Sequence, residues 1–151
     1  MKCGLFIDTE ECVGCHACEI ACKQEHELPV GPRLIRVFDT GPQRIEGRPQ
    51  LRYKVAVCLQ CTEPPCRDAC PVGAITLRKD GITVINRALC DGCKKCIDSC
   101  PYGVLEFDAP NKIARKCDLC AERLDRGLNP ACIATCPSHC IHFSTAKMAG
   151  I

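Results

Sequence analysis

Four groups of closely spaced cysteines constrain this chain more than any other feature of its sequence. The clearest group is Cys90, Cys93, Cys96 and Cys100, followed by Pro101, with the spacing C-x2-C-x2-C-x3-C-P. Three thiols spaced in this way lie on one tight loop, where they can bind three corners of an iron–sulfur cube. The spacing therefore predicts a metal–thiolate scaffold, in which the fourth thiol is carried beyond its own loop by the following turn.

The other three groups are variants of this pattern. The first lacks the proline, the second has four residues between its second and third cysteines, and the last has eleven. Their members are Cys12, Cys15, Cys18 and Cys22; Cys58, Cys61, Cys66 and Cys70; and Cys117, Cys120, Cys132 and Cys136. Cys3 and Cys140 fall outside the groups, in apolar strand-like surroundings where a free cysteine packs as a small hydrophobic residue.

Composition supports a metal scaffold. The 151 residues include 18 cysteines but no Trp, two Tyr and four Phe, and so thin an apolar core is stabilised in small proteins by metals or disulfides. A disulfide framework is disfavoured, because residues 1–11 contain no secretory signal and repeated C-x2-C pairs suit a shared metal. Zinc sites do not account for three-cysteine runs that end in Cys-Pro. We expect the cluster-free chain to be largely unfolded.

The fourth cysteine of such a run ligates the neighbouring cluster in two-cluster ferredoxins. Applying this rule to the two central groups, and pairing the first group with the last in the same way, gives four ligand sets. They are Cys12, Cys15, Cys18 and Cys136 (cluster 1); Cys22, Cys117, Cys120 and Cys132 (cluster 2); Cys58, Cys61, Cys66 and Cys100 (cluster 3); and Cys70, Cys90, Cys93 and Cys96 (cluster 4). This crossover nests one two-cluster module inside another.

The crossover divides the chain into an outer module, residues 1–28 plus 109–151, and a central module, residues 57–108. Residues 29–56 contain no cysteine and predict two strands around Gly- and Pro-rich turns. Two interpretations of this segment stay open, a solvated hairpin or a docking segment for a larger subunit. Its basic residues are Arg33, Arg36, Arg44, Arg48, Arg52 and Lys54.

Short elements fill the spaces between the cysteines. The predicted strands cover residues 2–8, 74–77 and 82–85, and the predicted helices cover residues 17–28 and 118–126, the latter ending at Gly127. The sequence from Pro101 to Phe107 repeats the pattern from Pro71 to Leu77, which indicates duplication. The expected fold is α+β, with two bacterial ferredoxin-like modules, short helices and small β-hairpins.

Several functional classes are disfavoured. No stretch reaches the roughly 18 apolar residues that span a bilayer, so we expect no membrane insertion. The formal charge of +2 would fall to about −6 with four bound clusters, which gives no support for nucleic-acid binding. Neither a nucleophile with its base nor an acidic partner for a histidine is recognisable. The chain is therefore not expected to be an enzyme alone, and no role is assigned to His16, His26, His139 and His142.

Three motifs carry a family resemblance: CLQCTEPPCRDACPVGAI, CDGCKKCIDSCPYGV and KCDLCAERLDRGLNPACIATCP. They resemble the four-cluster electron-transfer subunits of molybdenum and tungsten bis-pterin oxidoreductases, which include formate dehydrogenases, dimethyl sulfoxide and polysulfide reductases, and tungsten aldehyde oxidoreductases. The resemblance implies four [4Fe–4S] clusters that relay single electrons between a large pterin-containing catalytic subunit and a second redox partner.

Within that resemblance, the end of the chain at Ile151 favours the short, soluble versions. These imply a cytoplasmic location and a flavoprotein, ferredoxin or hydrogenase as second partner, and association of several copies stays open. Two other functions remain as alternatives. One is a free polyferredoxin that diffuses between enzymes, and the other is a zinc-binding or iron-sensing regulatory module.

The paired lysines Lys94 and Lys95 lie within the third group and generate a prediction. A positive charge beside a cluster favours its more negative reduced state and so raises its reduction potential. Replacing both lysines with Gln should lower one midpoint in a redox titration of the holoprotein and leave the others within error. An unchanged set of midpoints would contradict this role.

Overall fold

The computed structural model describes residues 3–145 as a series of short elements. In chain order they are β1 (Cys3–Ile7), α1 (Ala17–Glu25), β2 (Ile35–Ile45), β3 (Arg48–Val57), α2 (Pro65–Asp68), β4 (Ile75–Leu77), β5 (Thr83–Ile85), α3 (Lys95–Asp98), β6 (Glu106–Asp108), β7 (Ile113–Arg115), α4 (Ala121–Asp125), α5 (Ala131–Ala134) and β8 (Ile141–Thr145). The predicted α+β class with short helices and small hairpins is confirmed. The outermost positions of the predicted outer module, 1–2 and 146–151, lie outside the described residues.

The strands form four separate two-stranded antiparallel sheets. One of them joins the two ends of the described chain, because β1 pairs with β8 in a register that places Cys3 opposite Thr145 and Ile7 opposite Ile141. The other three are hairpins of neighbouring strands, β2–β3, β4–β5 and β6–β7. An isolated two-stranded sheet is marginally stable in water, so these sheets depend on packing against the cysteine-containing loops.

The central hairpins are structural repeats. Each follows a Cys-Pro pair, and each is preceded by a glycine in the left-handed region, Gly73 with φ of 64° and Gly103 with φ of 57°. The β6–β7 hairpin crosses position 108, at which the sequence places the end of the central module.

The β2–β3 hairpin is longer than its two predicted strands. Pairing extends through a register shift between Asp39 and Pro42, a bulge that accommodates a proline without a backbone N–H. The chain then turns at Glu46 and Gly47, both in the left-handed region, as two-residue hairpin turns require. A Gly-Pro pair that resembled a turn in the sequence is thus part of a strand.

Two predicted helices are shorter in the structure. The first ends at Glu25 instead of reaching residue 28, and the last long one begins at Ala121 instead of Asp118. The late start has a clear cause, because Leu119 and Cys120 have φ of 57° and 52°, a backbone conformation that no α-helix contains. The expected stop at Gly127 is consistent with its φ of 73°.

The core is narrow and rich in sulfur. Cysteines supply a large share of its buried apolar side chains, and aliphatic residues such as Ile35, Ile82 and Leu119 fill the spaces between them. None of the helices within residues 3–145 combines the length and apolarity needed to cross a bilayer.

Gly92, in the loop between Cys90 and Cys93, offers a test of this packing. Its φ is 73°, and an added Cβ would overlap the backbone carbonyl of Lys112. Gly92→Ala should therefore cost about 1 kcal/mol for the left-handed backbone and a further 1–3 kcal/mol or so for the overlap.

The matched control is Gly103→Ala, since Gly103 has φ of 57° and open space around its missing Cβ. Guanidinium unfolding of the holoproteins, followed by loss of visible absorbance, should place the Gly92→Ala midpoint well below that of Gly103→Ala. Equal midpoints would show that the loop relaxes away from Lys112.

Candidate metal centres

The four cysteine loops share one backbone feature. The residue immediately before the second cysteine of each group is in the left-handed region: Gly14 (φ 65°), Gln60 (φ 50°), Gly92 (φ 73°) and Leu119 (φ 57°). Glycine adopts this conformation at little cost, whereas Gln60 and Leu119 must be held in it by their surroundings. Both are almost completely buried. A left-handed residue therefore separates the first two cysteines of each group.

The third cysteine of each group occupies the first turn of a short helix. Cys18 lies in α1, Cys66 in α2, Cys96 in α3 and Cys132 in α5. In three of these helices the next residue's backbone N–H donates to the cysteine sulfur, namely Glu19 to Cys18, Arg67 to Cys66 and Ile133 to Cys132. Hydrogen bonds of this kind favour the thiolate, the form that binds metal.

Two of the predicted ligand sets surround cavities in the central part of the fold. Cys58, Cys61, Cys66 and Cys100 line one cavity, together with apolar side chains that include Val104 and Leu105. The other is lined by Cys70, Cys90, Cys93 and Cys96. In this second cavity, the backbone N–H of Ala74 donates to Cys70 Sγ at 3.3 Å and that of Ala114 donates to Cys90 Sγ at 3.4 Å.

The outer groups are brought together by α1, which packs against α5. Cys22 lies close enough to Cys120 and Cys132 to interact electrostatically with both. Cys18 similarly interacts with Cys12 and Cys132. Near the fourth cysteine of the last group, Cys136 Sγ lies 3.6 Å from Cys140 Sγ, and Cys140 in turn interacts with Cys12. The first and last groups therefore meet, although they are about a hundred residues apart in sequence.

These thiols are poorly suited to being left without a metal. Burial raises the pKa of Cys96 to about 11 and that of Cys18 to about 12, and neighbouring thiols add to both effects. Burial likewise raises the pKa of Cys132 to about 12. Sets of four thiols within apolar walls, with backbone donors aimed at sulfur, fit a cluster that binds the thiolate form. The donor set of the chain thus fits [4Fe–4S] clusters.

A buried lysine lies where the second and last cysteine groups meet. Lys116 Nζ donates to the backbone oxygens of Thr83 at 2.5 Å and Cys117 at 2.7 Å. Gln60 completes this junction, because its Nε2 donates to Cys117 O at 2.8 Å and its Oε1 accepts from Thr83 N–H at 3.0 Å. The oxygens around the ammonium are uncharged. Burial raises the pKa of Cys66 and Cys117, and the Lys116 charge offsets part of that rise.

Lys94 and Lys23, two lysines that lie next to cysteines in the sequence, differ in their surroundings. Lys94 lines the cavity of Cys70, Cys90, Cys93 and Cys96, and its Nζ lies 4.1 Å from the centre of the Phe107 ring. Lys23 Nζ instead donates to the backbone oxygens of Pro29 and Pro32 at 2.7 and 2.9 Å, so this ammonium fixes the loop that follows α1.

His26 differs from the sequence expectation that it has no acidic partner. Its Nε2 lies 3.5 Å from Asp118 Oδ1 and 3.5 Å from Cys120 Sγ, and its side chain is only 10% exposed. Asp118 and Cys120 are more than 90 positions away in sequence, so no local pattern could have revealed this contact. The imidazole lies against a predicted cluster ligand.

The other histidines have different surroundings, and His16 also has an acidic neighbour. His16 Nδ1 is 3.4 Å from Glu19 Oε1, and the His142 ring stacks on Phe6 with ring centres 6.0 Å apart. His139 occupies a left-handed position with φ of 53°.

Comparison with known families matches two parts of the chain. The family described as "4Fe-4S dicluster domain" matches residues 49–146, and the family described as "4Fe-4S binding domain" matches residues 5–25. Together they cover all four cysteine groups.

Individual relatives share most of the chain. It is 38% identical over 144 residues to the B subunit of polysulfide reductase from Wolinella succinogenes, which covers 94% of this chain and 75% of the relative. It is 33% identical to the B subunit of anaerobic dimethyl sulfoxide reductase from Haemophilus influenzae, covering 93% and 73%. It is 32% identical to the arsenate respiratory reductase iron–sulfur subunit of Shewanella sp. strain ANA-3, covering 91% and 79%. The resemblance seen in the sequence is confirmed, and the chain belongs to the 4Fe-4S dicluster domain family as an iron–sulfur electron-transfer protein that carries multiple [4Fe–4S] clusters.

Proposed function

We propose that this chain is a non-catalytic subunit that relays single electrons between a large molybdenum- or tungsten-pterin catalytic subunit and a second redox partner. The relatives named above are subunits of reductases, which supports a catalytic partner. When bound, [4Fe–4S] clusters supply one-electron transfer at potentials tuned by the protein.

The proposed ligand sets are those expected from the crossover rule. The two central sets are supported by the two cavities, each of which is lined by one complete set. The outer sets are supported by the proximity of Cys22 to Cys120 and Cys132. We propose the same nested division of the chain, with the central module extended to Arg115 so that the β6–β7 hairpin stays within it.

The proximity of cysteines that belong to different proposed sets is the observation that carries the proposal. Clusters 1 and 2 share α1, which contains Cys18 and Cys22. Cys117 interacts with both Cys22 and Cys58 and so links cluster 2 to cluster 3. Cys96 interacts with Cys66, which links cluster 4 to cluster 3. These contacts support an order of the proposed sets along a line, 1–2–3–4.

The two ends of this line reach the surface. Cys15 of cluster 1 and Cys93 of cluster 4 are the two exposed cysteines of the chain, whereas Cys117, Cys120 and Cys58 in the middle are buried. Electrons can therefore enter at one end and leave at the other. This arrangement suits a protein that passes electrons between two partners better than one that accumulates electrons for a single partner.

The β2–β3 hairpin is proposed as a docking segment for the catalytic subunit. Its base is fixed to both modules, because Arg33 forms an ion pair with Glu19 and Arg36 forms one with Glu106, each at 3.2 Å. Its outer half is exposed from Pro42 to Leu51 apart from the partly covered Ile45, and it contains Arg44 and Arg48. A fixed base and an exposed basic end fit contact with a larger, acidic surface.

Several kinds of catalytic subunit and second redox partner fit this proposal. A tungsten aldehyde oxidoreductase is one form of catalytic subunit that the resemblance includes, and a flavoprotein, ferredoxin or hydrogenase is proposed as the second partner. Association with further copies of the chain stays open. A cytoplasmic location is proposed because the resemblance to the short relatives implies one.

Anaerobic purification of the tagged chain from its own host at moderate salt tests the proposal. We expect a large subunit to co-elute, with molybdenum or tungsten in near-stoichiometric amount and iron from four clusters, because the relay needs a catalytic partner. Metal analysis and mass spectrometry of the eluate provide the measurement. A brown protein that elutes alone would support the diffusible polyferredoxin, and a colourless zinc protein would support the regulatory module.

Variants of the hairpin sharpen this experiment. Arg44→Ser with Arg48→Ser should lower the yield of the large subunit at a given salt concentration, whereas Arg87→Ser with Arg126→Ser, which removes two exposed charges elsewhere, should retain it. Equal yields for the two double variants would exclude the hairpin end as a charged docking site.

The crossover makes a separate prediction about single ligands. Cys58→Ser and Cys100→Ser should perturb the same redox transition, because both thiols are assigned to cluster 3. Cys70→Ser and Cys90→Ser should perturb a different one. Electron paramagnetic resonance during redox titration provides the measurement, and Cys3→Ser is the control that should alter none. If Cys100→Ser instead matched Cys90→Ser, each group would hold its own cluster and the crossover would be wrong.

A further inference from the structure

The segment after the last cysteine group has the same backbone as two others in the chain. In all three, the residue three positions after the fourth cysteine donates its N–H to that cysteine's carbonyl oxygen: Gly73 to Cys70 at 3.3 Å, Gly103 to Cys100 at 3.2 Å, and His139 to Cys136 at 3.3 Å. The φ values of Gly73, Gly103 and His139 are 64°, 57° and 53°. The three segments are therefore directly comparable, position by position.

Their side chains differ at the two positions that flank the left-handed residue. After Cys70 these positions hold Val72 and Ala74, and after Cys100 they hold Tyr102 and Val104. After Cys136 they hold Ser138 and Cys140 instead. The last segment thus has a short hydroxyl side chain where the others have Val or Tyr, and a thiol where they have Ala or Val.

Both replacements place a potential donor beside the same sulfur. Cys136 Sγ lies 3.6 Å from Cys140 Sγ and 3.7 Å from Ser138 Oγ. Valine, alanine and the phenol-bearing Tyr102 provide no comparable short donor in the other segments, where Cys70 Sγ accepts from the backbone N–H of Ala74. Within the described residues, Cys136 Sγ is thus the cluster-group sulfur that has a side-chain hydroxyl and a side-chain thiol beside it.

The roles of the two sulfurs follow from their chemistry. A metal-bound cysteine is a thiolate and can only accept a hydrogen bond, so Cys140 must be the donor if Cys136 is the ligand. Cys140 is almost completely buried, with 3% exposure. A buried thiol beside a thiolate has a clear partner for its proton, and it is therefore more than a small hydrophobic residue that fills space.

We propose that Cys140 and Ser138 are positioning residues that donate hydrogen bonds to Cys136 Sγ and raise the reduction potential of cluster 1 without ligating it. This inference rests on the proposed function, in which Cys136 belongs to the terminal cluster with the exposed Cys15. Hydrogen bonds to cluster sulfurs stabilise the more negative reduced state. A higher reduction potential of cluster 1 would favour the presence of the electron on that cluster, at the end of the relay that meets a partner.

The central test is Cys140→Val in the holoprotein, because valine already occupies the matching position at Val104 and keeps the volume while removing the donor. Redox titration followed by electron paramagnetic resonance should show one midpoint shifted to lower potential and three unchanged. Ser138→Ala should shift the same midpoint in the same direction. Cys140→Ser retains a donor, so its midpoint should stay close to that of the unaltered protein. Cys3→Val is the control, because Cys3 is a buried thiol whose Sγ faces Asp80 O at 3.2 Å.

The reciprocal variant tests the position itself. Val104→Cys introduces a thiol of similar size at the matching place beside Cys100, and it should raise the midpoint of the cluster that Cys100 binds. An unchanged midpoint in this variant would contradict the argument that this position controls potential.

Two results would overturn the proposal. Unchanged midpoints in Cys140→Val would show that the thiol does not act on a cluster, and a loss of iron equivalent to one cluster would show that Cys140 is itself a ligand. Both measurements use the isolated holoprotein, so they do not depend on a catalytic subunit. A shifted midpoint in a chain that purifies without a pterin-containing partner would leave this inference intact and reject the proposed partner.

Discussion

The close grouping of buried thiols is the constraint on which the rest of this structure depends. Thiols such as Cys18 and Cys132 lie close to one another, and burial raises the pKa of both. This arrangement has no advantage in a protein that lacks a metal. The apolar core around them is narrow, and each sheet has only two strands. Binding free energy of the clusters must therefore supply much of the stability that larger proteins obtain from apolar burial.

The proposed nested topology follows from the same constraint. Because the first cysteine group meets the last, the chain ends are drawn together and β1 pairs with β8. The central module forms between them, and Gln60 hydrogen bonds to Cys117 O and to Thr83 N–H fix it against the last group. Contacts that join distant parts of a chain form more slowly than local ones, so this topology favours formation of the central module before the outer one.

The sequence was informative wherever a contact depends on spacing. Cysteine positions alone indicated which groups approach one another, and Gly127 marked the end of a short helix. Spacing says nothing about conformations imposed by tertiary contacts. Leu119 and Cys120 carry no signal for a left-handed backbone, and the predicted helix therefore began three residues too early.

Side-chain contacts between residues that are distant in sequence could not be predicted from the sequence either. His26 meets Asp118 only after α1 and the last group pack together. The importance of Cys140 likewise depends on the distance between two sulfurs, while its sequence surroundings suggested a buried apolar residue. The family comparison supplied what neither spacing nor packing could provide, namely the kind of assembly in which such clusters work.

The buried ammonium of Lys116 has a consequence for cofactor assembly. A buried cation surrounded only by neutral oxygens costs several kcal/mol unless negative charge lies nearby, and the Lys116 charge interacts with the thiols of Cys66 and Cys117. Those thiols carry no charge until metal displaces their protons. The packing of Lys116 between the second and last cysteine groups is thus electrostatically linked to cofactor loading.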